Sequence, residues 1–312
     1  MIATVTLNPS LDEWMRLPAL RLGALNRAAG FARYPGGKGI NVSRVIRELG
    51  GHTVAYGVAG GEDGMILRAI VNRLSIPHEF IEVEGSTRNN YKILTERPRA
   101  LTEINMAGPR VPPAILRKLE RRLFGRSPAP RCVALSGSLP PGVPTTIYGR
   151  WIRLLRRRRI PTVLDASGDA LARGLVARPW LIKPNRQEAE ELLRTRLTRS
   201  AQLVTAAQHL LRYGPAMVVL SLGREGALLA SAVPREVWRA HPPSVKVDSA
   251  VGAGDSLVGG FLVGWAQGAS APEAFRLGVA CGTAAAMTPG TELCHRADVY
   301  RILRRVRVHR LA

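Results

Sequence analysis

Short apolar runs along this chain alternate with stretches whose apolar residues recur every three or four positions, the marks of strands and amphipathic helices. The run "IATVTLN" (2–8) predicts a strand. "INVSRVIRELG" (40–50) predicts a helix closed by Gly50, a residue at ease in the left-handed turn that ends many helices. Further strands are expected at "HTVAYGVAG" (52–60), "CVALSGSLP" (132–140), "PTVLDAS" (161–167), "LIKPN" (181–185) and "AMVVLSLG" (216–223). Helices are expected at "GMILRAIVNRLS" (64–75), "IYGRWIRLLRRRR" (147–159), "RQEAEELL" (186–193), "DSLVGGFLVGWAQG" (255–268) and "PEAFRLGVACGTAAAM" (272–287). Such alternation predicts a doubly wound α/β fold with a mainly parallel sheet, in one domain spanning 1–312. Ligands of such sheets bind at the carboxyl ends of the strands, and "NPS", "SGSLPPG", "DASG", "KPN" and "SLGREG" fall at those ends.

Two regions break the pattern. Residues 12–34 and 86–107 read as strand pairs, with "YKILTE", "RPRA" and "LTEINM" forming a hairpin in the second. Together they predict a small β-sheet lid on the α/β body. A small exposed sheet needs covering, so a homodimer through the lid is expected.

Composition narrows the class. With 46% hydrophobic residues in 312, the chain can bury a sizeable core. No apolar run is long enough to span a bilayer, and the first residues lack the basic segment of a signal peptide. Cys132, Cys281 and Cys294 are scattered, without metal-ligand spacing, so a reduced, cytoplasmic protein is expected. The net charge is +22, and forty of the 45 basic residues are arginine. That balance suits nucleic acid. Yet in "ILRKLERRLFGR" (115–126), "WIRLLRRRRIP" (151–161) and "YRILRRVRVHRL" (300–311) the arginines take the polar side of amphipathic patterns. Solvated helix faces explain them, and a non-catalytic nucleic-acid binder is the alternative reading.

Three segments carry candidate chemistry. In "YPGGKGINVSRVIRELG" (34–50) glycines surround Lys38 ahead of a helix, which suits either an anion site or a tight turn with an exposed lysine. It is not the P-loop pattern. "VGAGDS" (251–256) again leads glycines into a helix and adds Asp255, either a helix cap or a base positioned beside a bound phosphate. In "IKPNRQEAEEL" (182–192), Asn185 and Glu188 share a face if helical. They suit a Mg²⁺ held through waters, or a capping pair.

"TLNPSLD", "GGKGINVSR", "TRNNYKI", "SGSLPPG", "WLIKPNRQE", "VVLSLGREGAL", "PPSVKVDSAVGAGDS" and "GTELC" occur in this order over nearly the whole chain. Together they resemble the ribokinase-like (PfkB) carbohydrate kinases, in the hexose-phosphate branch. The resemblance implies an ATP- and Mg²⁺-dependent kinase of a ketohexose phosphate. Fructose 6-phosphate is placed ahead of fructose 1-phosphate, with tagatose 6-phosphate third. Asp255 matches the family's catalytic base, and Gly252, Ala253 and Gly254 its anion hole. Asp12, Asn41 and the Gly36–Gly37 backbone match the sugar pocket. Lys38 and Arg88, with Asn90 and Ser138, match the site for the phosphate the substrate already carries. Asn185 and Glu188 match the Mg²⁺-organising pair, with Lys183 beside them, and Ser221 and Gly223 match nucleotide contacts.

The chain departs from the pattern in two places. "INMAGP" (104–109) lacks the acidic residue common at that lid turn. Asp248 stands one residue further from Asp255 than the potassium-site aspartate of ribokinase, so no potassium site is carried over to it.

Overall fold

The computed structural model describes residues 1–311. The first half runs β1 (Ile2–Thr6), β2 (Ser10–Leu17), β3 (Gly30–Gly36), α1 (Lys38–Glu48), β4 (Thr53–Ala59), α2 (Gly61–Arg73), β5 (His78–Glu82), β6 (Arg88–Glu96), β7 (Arg99–Asn105), α3 (Pro113–Phe124), β8 (Cys132–Ser136) and α4 (Ile147–Arg157). The second half runs β9 (Thr162–Asp165), α5 (Gly168–Leu175), β10 (Leu181–Ile182), α6 (Arg186–Leu193), α7 (Ser200–Leu211), β11 (Met217–Ser221), β12 (Ala227–Ser231), β13 (Glu236–His241), α8 (Ala253–Ala266), α9 (Ala271–Ala285), α10 (Arg296–Leu303) and β14 (Arg307–Arg310).

The large sheet has the order β14-β13-β12-β11-β10-β9-β8-β1-β4-β5. It is parallel from β11 to β5 and antiparallel from β11 outward to β14. Its central strands are buried on both faces, as parallel strands between two helix layers must be. One core face is filled by residues such as Leu135, Trp151 and Leu220, the other by Val45, Phe261 and Phe275. The chain winds from β1 to β4 and β5 and then returns to the far side of β1 with β8. The crevice beyond the carboxyl ends of β1 and β8 is therefore the switch point where such sheets bind ligands.

The lid is a separate sheet of order β3-β2-β6-β7, with β2 and β6 parallel and both outer pairs antiparallel. Its outer strand β7 is exposed along its whole length. Arg99 on β7 reaches the body, donating to Asp248 Oδ1 at 2.6 Å.

The pattern expected along 300–311 changes partway. The helix stops at Leu303, and Arg307–Arg310 forms the edge strand β14 against β13. Helical periodicity in a short segment could not anticipate an open sheet edge ready to pair with it. Among the described residues, no helix is long and apolar enough to cross a membrane.

Candidate active site

Two helix starts meet at the switch point. α8 opens at Gly252, whose φ of 80° is left-handed and would strain any side chain. The turn leaves the amides of Gly254 and Asp255 without a carbonyl partner, the free donors that an anion site requires. α8 is apolar on every side and buried from Asp255 to Gly264, because it lies between α1 and α9. Its glycines permit that packing: a carbon added at Gly259 would stand 2.7 Å from Val45 Cβ on α1. Close contact of the two helices brings Asn41 beside Asp255, and Asn41 Nδ2 donates to Asp255 Oδ2 at 2.9 Å.

Asp255 is 7% exposed. Burial raises its carboxyl, and the charge of Asp165 raises it further. Lys38, the Asn41 bond and Lys183 pull the other way, leaving it at about 6. Asp165, at the end of β9, is wholly buried. Lys38 Nζ donates to its Oδ1 at 2.8 Å, and Lys183 Nζ lies 3.4 Å from the same oxygen. Burial opposes ionisation of Asp165, but Lys183 and Lys38 outweigh it and hold this carboxyl below its ordinary range. Burial likewise opposes the charge on Lys38, yet Asp165, Asp255 and Glu188 together hold it above its ordinary value. Carboxylates and ammonium groups thus alternate around one small volume. Asp165 Oδ2, buried in its midst, has no hydrogen-bond partner.

The lid side holds a polar pocket. Ser10 Oγ donates to Asp12 Oδ1 at 2.9 Å, and Asn90 Nδ2 donates to Ser10 Oγ at 3.0 Å. A side chain on Gly36 would run into Asp12, so glycine is what lets β3 pass that carboxylate. Thr291 Oγ1 faces Asp12 Oδ2 at 3.5 Å and receives the Trp14 indole N–H at 2.9 Å. Arg88 donates to the carbonyls of Asn8 (2.9 Å) and Met106 (3.1 Å), and Asn8 Nδ2 donates to Ser138 Oγ at 3.2 Å. Burial lowers the Arg88 guanidinium from its ordinary value.

On the other side, Asn185 caps α6. Glu188 N donates to Asn185 Oδ1 at 2.8 Å, and Asn185 N donates to Glu188 Oε2 at 2.9 Å, a reciprocal capping box. Ser221 N donates to Pro184 O at 3.0 Å, tying β11 to this turn, and Gly223 begins the short helical turn that follows.

The structure brings most of the sequence candidates around one crevice: Gly252–Asp255, Asn41, Lys38 and Lys183 at its centre, Asp12, Gly36 and Asn90 on the lid side, and Asn185, Glu188 and Ser221 opposite. Lys38 and Arg88, both assigned to the substrate's phosphate, take different partners, Asp165 for one and the Asn8 and Met106 carbonyls for the other.

Two residues escaped the sequence reading as site residues. Asp165 lay within "DASG", noted only as a strand end, and its meaning depends on two lysines brought from elsewhere. Arg44 looked like one more helix arginine. Its NH1 donates to Asn41 Oδ1 at 3.2 Å and its NH2 to the Glu292 carbonyl at 3.1 Å, and burial lowers it to about 10. Spacing offered a faint signal: Arg44 is one turn beyond Asn41, on the same helix face.

The pfkB family carbohydrate kinase pattern matches residues 5–298. The chain is 36% identical to 1-phosphofructokinase of Bacillus subtilis (strain 168) over 315 residues, covering 100% of both chains. Phosphofructokinase-2 from Escherichia coli, solved in complex with substrates and products, superposes with a TM-score of 0.92 at 35% identity, over 97% of this chain and 98% of that one. The ribokinase of Arabidopsis thaliana, solved with ribose and ATP, is 19% identical, with a TM-score of 0.78 over 97% of this chain and 98% of that one, and shares the fold. With a ribokinase-like body, a separate lid sheet and a match over nearly its whole length, this chain belongs to the pfkB family of carbohydrate kinases, phosphotransferases whose acceptor is an alcohol.

Proposed function

We propose that this chain transfers the terminal phosphoryl group of ATP to a hydroxyl of a fructose monophosphate, giving fructose 1,6-bisphosphate. The observation that carries this reading is Asp255: a buried carboxylate held by Asn41, at the start of a helix with free amides, facing two lysines. A carboxyl raised to about 6 is ionised at neutral pH and more basic than an exposed one. Asp255 takes the proton of the acceptor hydroxyl as its oxygen bonds to phosphorus and the bond to the departing ADP breaks. The transition state is loose, so positioning and charge do most of the work. The amides of Gly254 and Asp255 and the Lys38 and Lys183 ammonium groups supply that charge.

Asp12, Asn90, Asn41 and the Gly36–Gly37 backbone hold the sugar hydroxyls. Arg88, with Ser138 beside it through Asn8, faces the phosphate the sugar brings. The Lys38–Asp165 bond favours a place for Lys38 beside the transferring phosphoryl group. Lys183, Asn185, Ser221 and Gly223 face the nucleotide. The donor set fits a Mg²⁺ arriving with ATP: Glu188 is buried and acidic with its second oxygen unbonded, and Asp165 Oδ2 has no partner. Glu188 and Asn185 would hold it through waters, and its charge would offset that of the nucleotide phosphates.

A second copy of the chain is proposed to cover the lid, whose Phe31, Leu101 and Ile104 are exposed. Light scattering of Leu101→Asp/Ile104→Asp, compared with the unaltered chain, tests this; an unchanged mass sinks it. For the reaction, kcat/KM on fructose 6-phosphate, fructose 1-phosphate and tagatose 6-phosphate is measured by ADP release. A fructose phosphate leads if the reading holds, and no ADP release with any of them rejects it.

A further inference from the structure

The strands that lead to Asp165, Lys183 and Ser221 begin, at the opposite edge of the sheet, around an open cleft of about 320 Å³. Arg156 and Arg159 enter it from the end of α4, and Arg178 from the turn after α5. Pro161, Pro179 and Trp180 form an apolar wall. No carboxylate lines the cleft, and among the described residues none of the three guanidinium groups has an ion-pair or side-chain hydrogen-bond partner. Three like charges gathered without a counter-ion repel one another, and an anion among them reverses the sign of that interaction.

The backbone points the same way. Arg159 and Arg178 have φ of 59° and 60°, two of five described non-glycine residues in the left-handed region. Both follow a helix end, where that conformation favours glycine and strains other residues. Both carry arginine, and both serve one cleft. Opposite them Gly214 has φ of 104°, and a carbon added there would fall 2.5 Å from Arg178 Cγ and 3.0 Å from its Nε. The bare backbone of Gly214 therefore lets Arg178 lie across the turn before β11, which fixes where its guanidinium goes. Trp180 is equally fixed, its ring centroid 5.0 Å from that of Trp265 and 5.9 Å from that of Phe261.

Planar guanidinium groups match phosphate oxygens two at a time, and a rigid indole beside prolines suits a flat ring. We propose that this cleft is a second ligand site, distinct from the catalytic crevice, that binds a nucleoside phosphate: phosphates among Arg156, Arg159 and Arg178, and the base against Trp180.

ADP is titrated calorimetrically into the full chain and into Arg159→Gly/Arg178→Gly. Glycine is favoured at both positions, so the variant keeps its fold, checked by an unchanged or higher Tm. Two ADP sites are expected in the unaltered chain. The variant keeps one of them and loses the other, with affinity there down tenfold or more, while turnover of the sugar phosphate is unchanged. Adenosine and inorganic pyrophosphate each bind the cleft more weakly than ADP. A single ADP site in both proteins overturns the proposal. So does a second site that survives in the variant, or binding shown only by long nucleic acid with no saturable ADP site. The catalytic reading stands apart, since it is judged by ADP release with fructose phosphates.

Discussion

Lys38 donates its ammonium to Asp165 at 2.8 Å across 127 positions of chain, in a bond that the wholly buried Asp165 shares with Lys183. Removing one charge from such a buried group leaves the others uncompensated. Asp165→Asn is expected to destabilise the fold by about 3 kcal/mol, read as a lower urea midpoint. It also removes a negative charge that raises Asp255, so the acid limb of the kcat–pH profile moves to lower pH. An acid limb that stays put would detach Asp165 from the base.

Asp255→Asn should cut kcat by at least about a thousandfold while ATP binding is kept. The stability effect runs the other way. A carboxyl raised from its ordinary value to about 6 contributes stability that is present at low pH and lost as pH rises through about 6. At neutral pH the native protein carries an ionised, buried Asp255, and the amide relieves it. The variant is therefore expected to melt higher than the parent at pH 7 to 8, with the gap closing near pH 4. Thermal scans across that range check the sign.

Arg44 holds the oxygen of the Asn41 amide, which turns its NH₂ toward Asp255. Without the guanidinium the amide is free to flip and present oxygen to a carboxylate. Arg44→Ala is expected to lower kcat about tenfold with little change in the KM for ATP, and Arg44→Lys to recover part of it. An equal rise in both KM values with kcat intact would place Arg44 in binding instead.

The Asn185–Glu188 pair lets capping and metal roles be separated. Glu188→Gln keeps an oxygen for the Asn185 amide but loses the charge, so stability should hold while the Mg²⁺ concentration for half-maximal rate rises several-fold. Asn185→Ala should cost about 1 kcal/mol of stability through the lost cap. An unchanged Mg²⁺ requirement in Glu188→Gln would leave the pair as a cap only.

The parallel strands β1, β4 and β8 to β11, both glycine-led helix starts and the lid hairpin were legible because each is written locally. Glycines precede Lys38 and Asp255, apolar residues follow at helical spacing, and "RPRA" separates two strand-like runs. Asp165 and Arg44 were not legible, since their roles arise only when β9 and α1 are packed against distant partners. The same holds for β14, a strand by virtue of the edge it meets. Asn185 and Glu188 were legible as a pair but not as to purpose, because a cap and a cation site ask for the same residues at the same spacing.

The lid strand β3 ends at Gly36 and helix α1 begins at Lys38, leaving Gly37, with φ of 114°, as the only residue between cover and machinery. A guest that tilts the cover therefore tugs on the very turn bearing Lys38 and Asn41. Water, too small to grip the cover, cannot exert that pull. On the reading proposed above, a resting molecule of this protein should squander little ATP through idle hydrolysis, and that thrift is built into a single-residue joint.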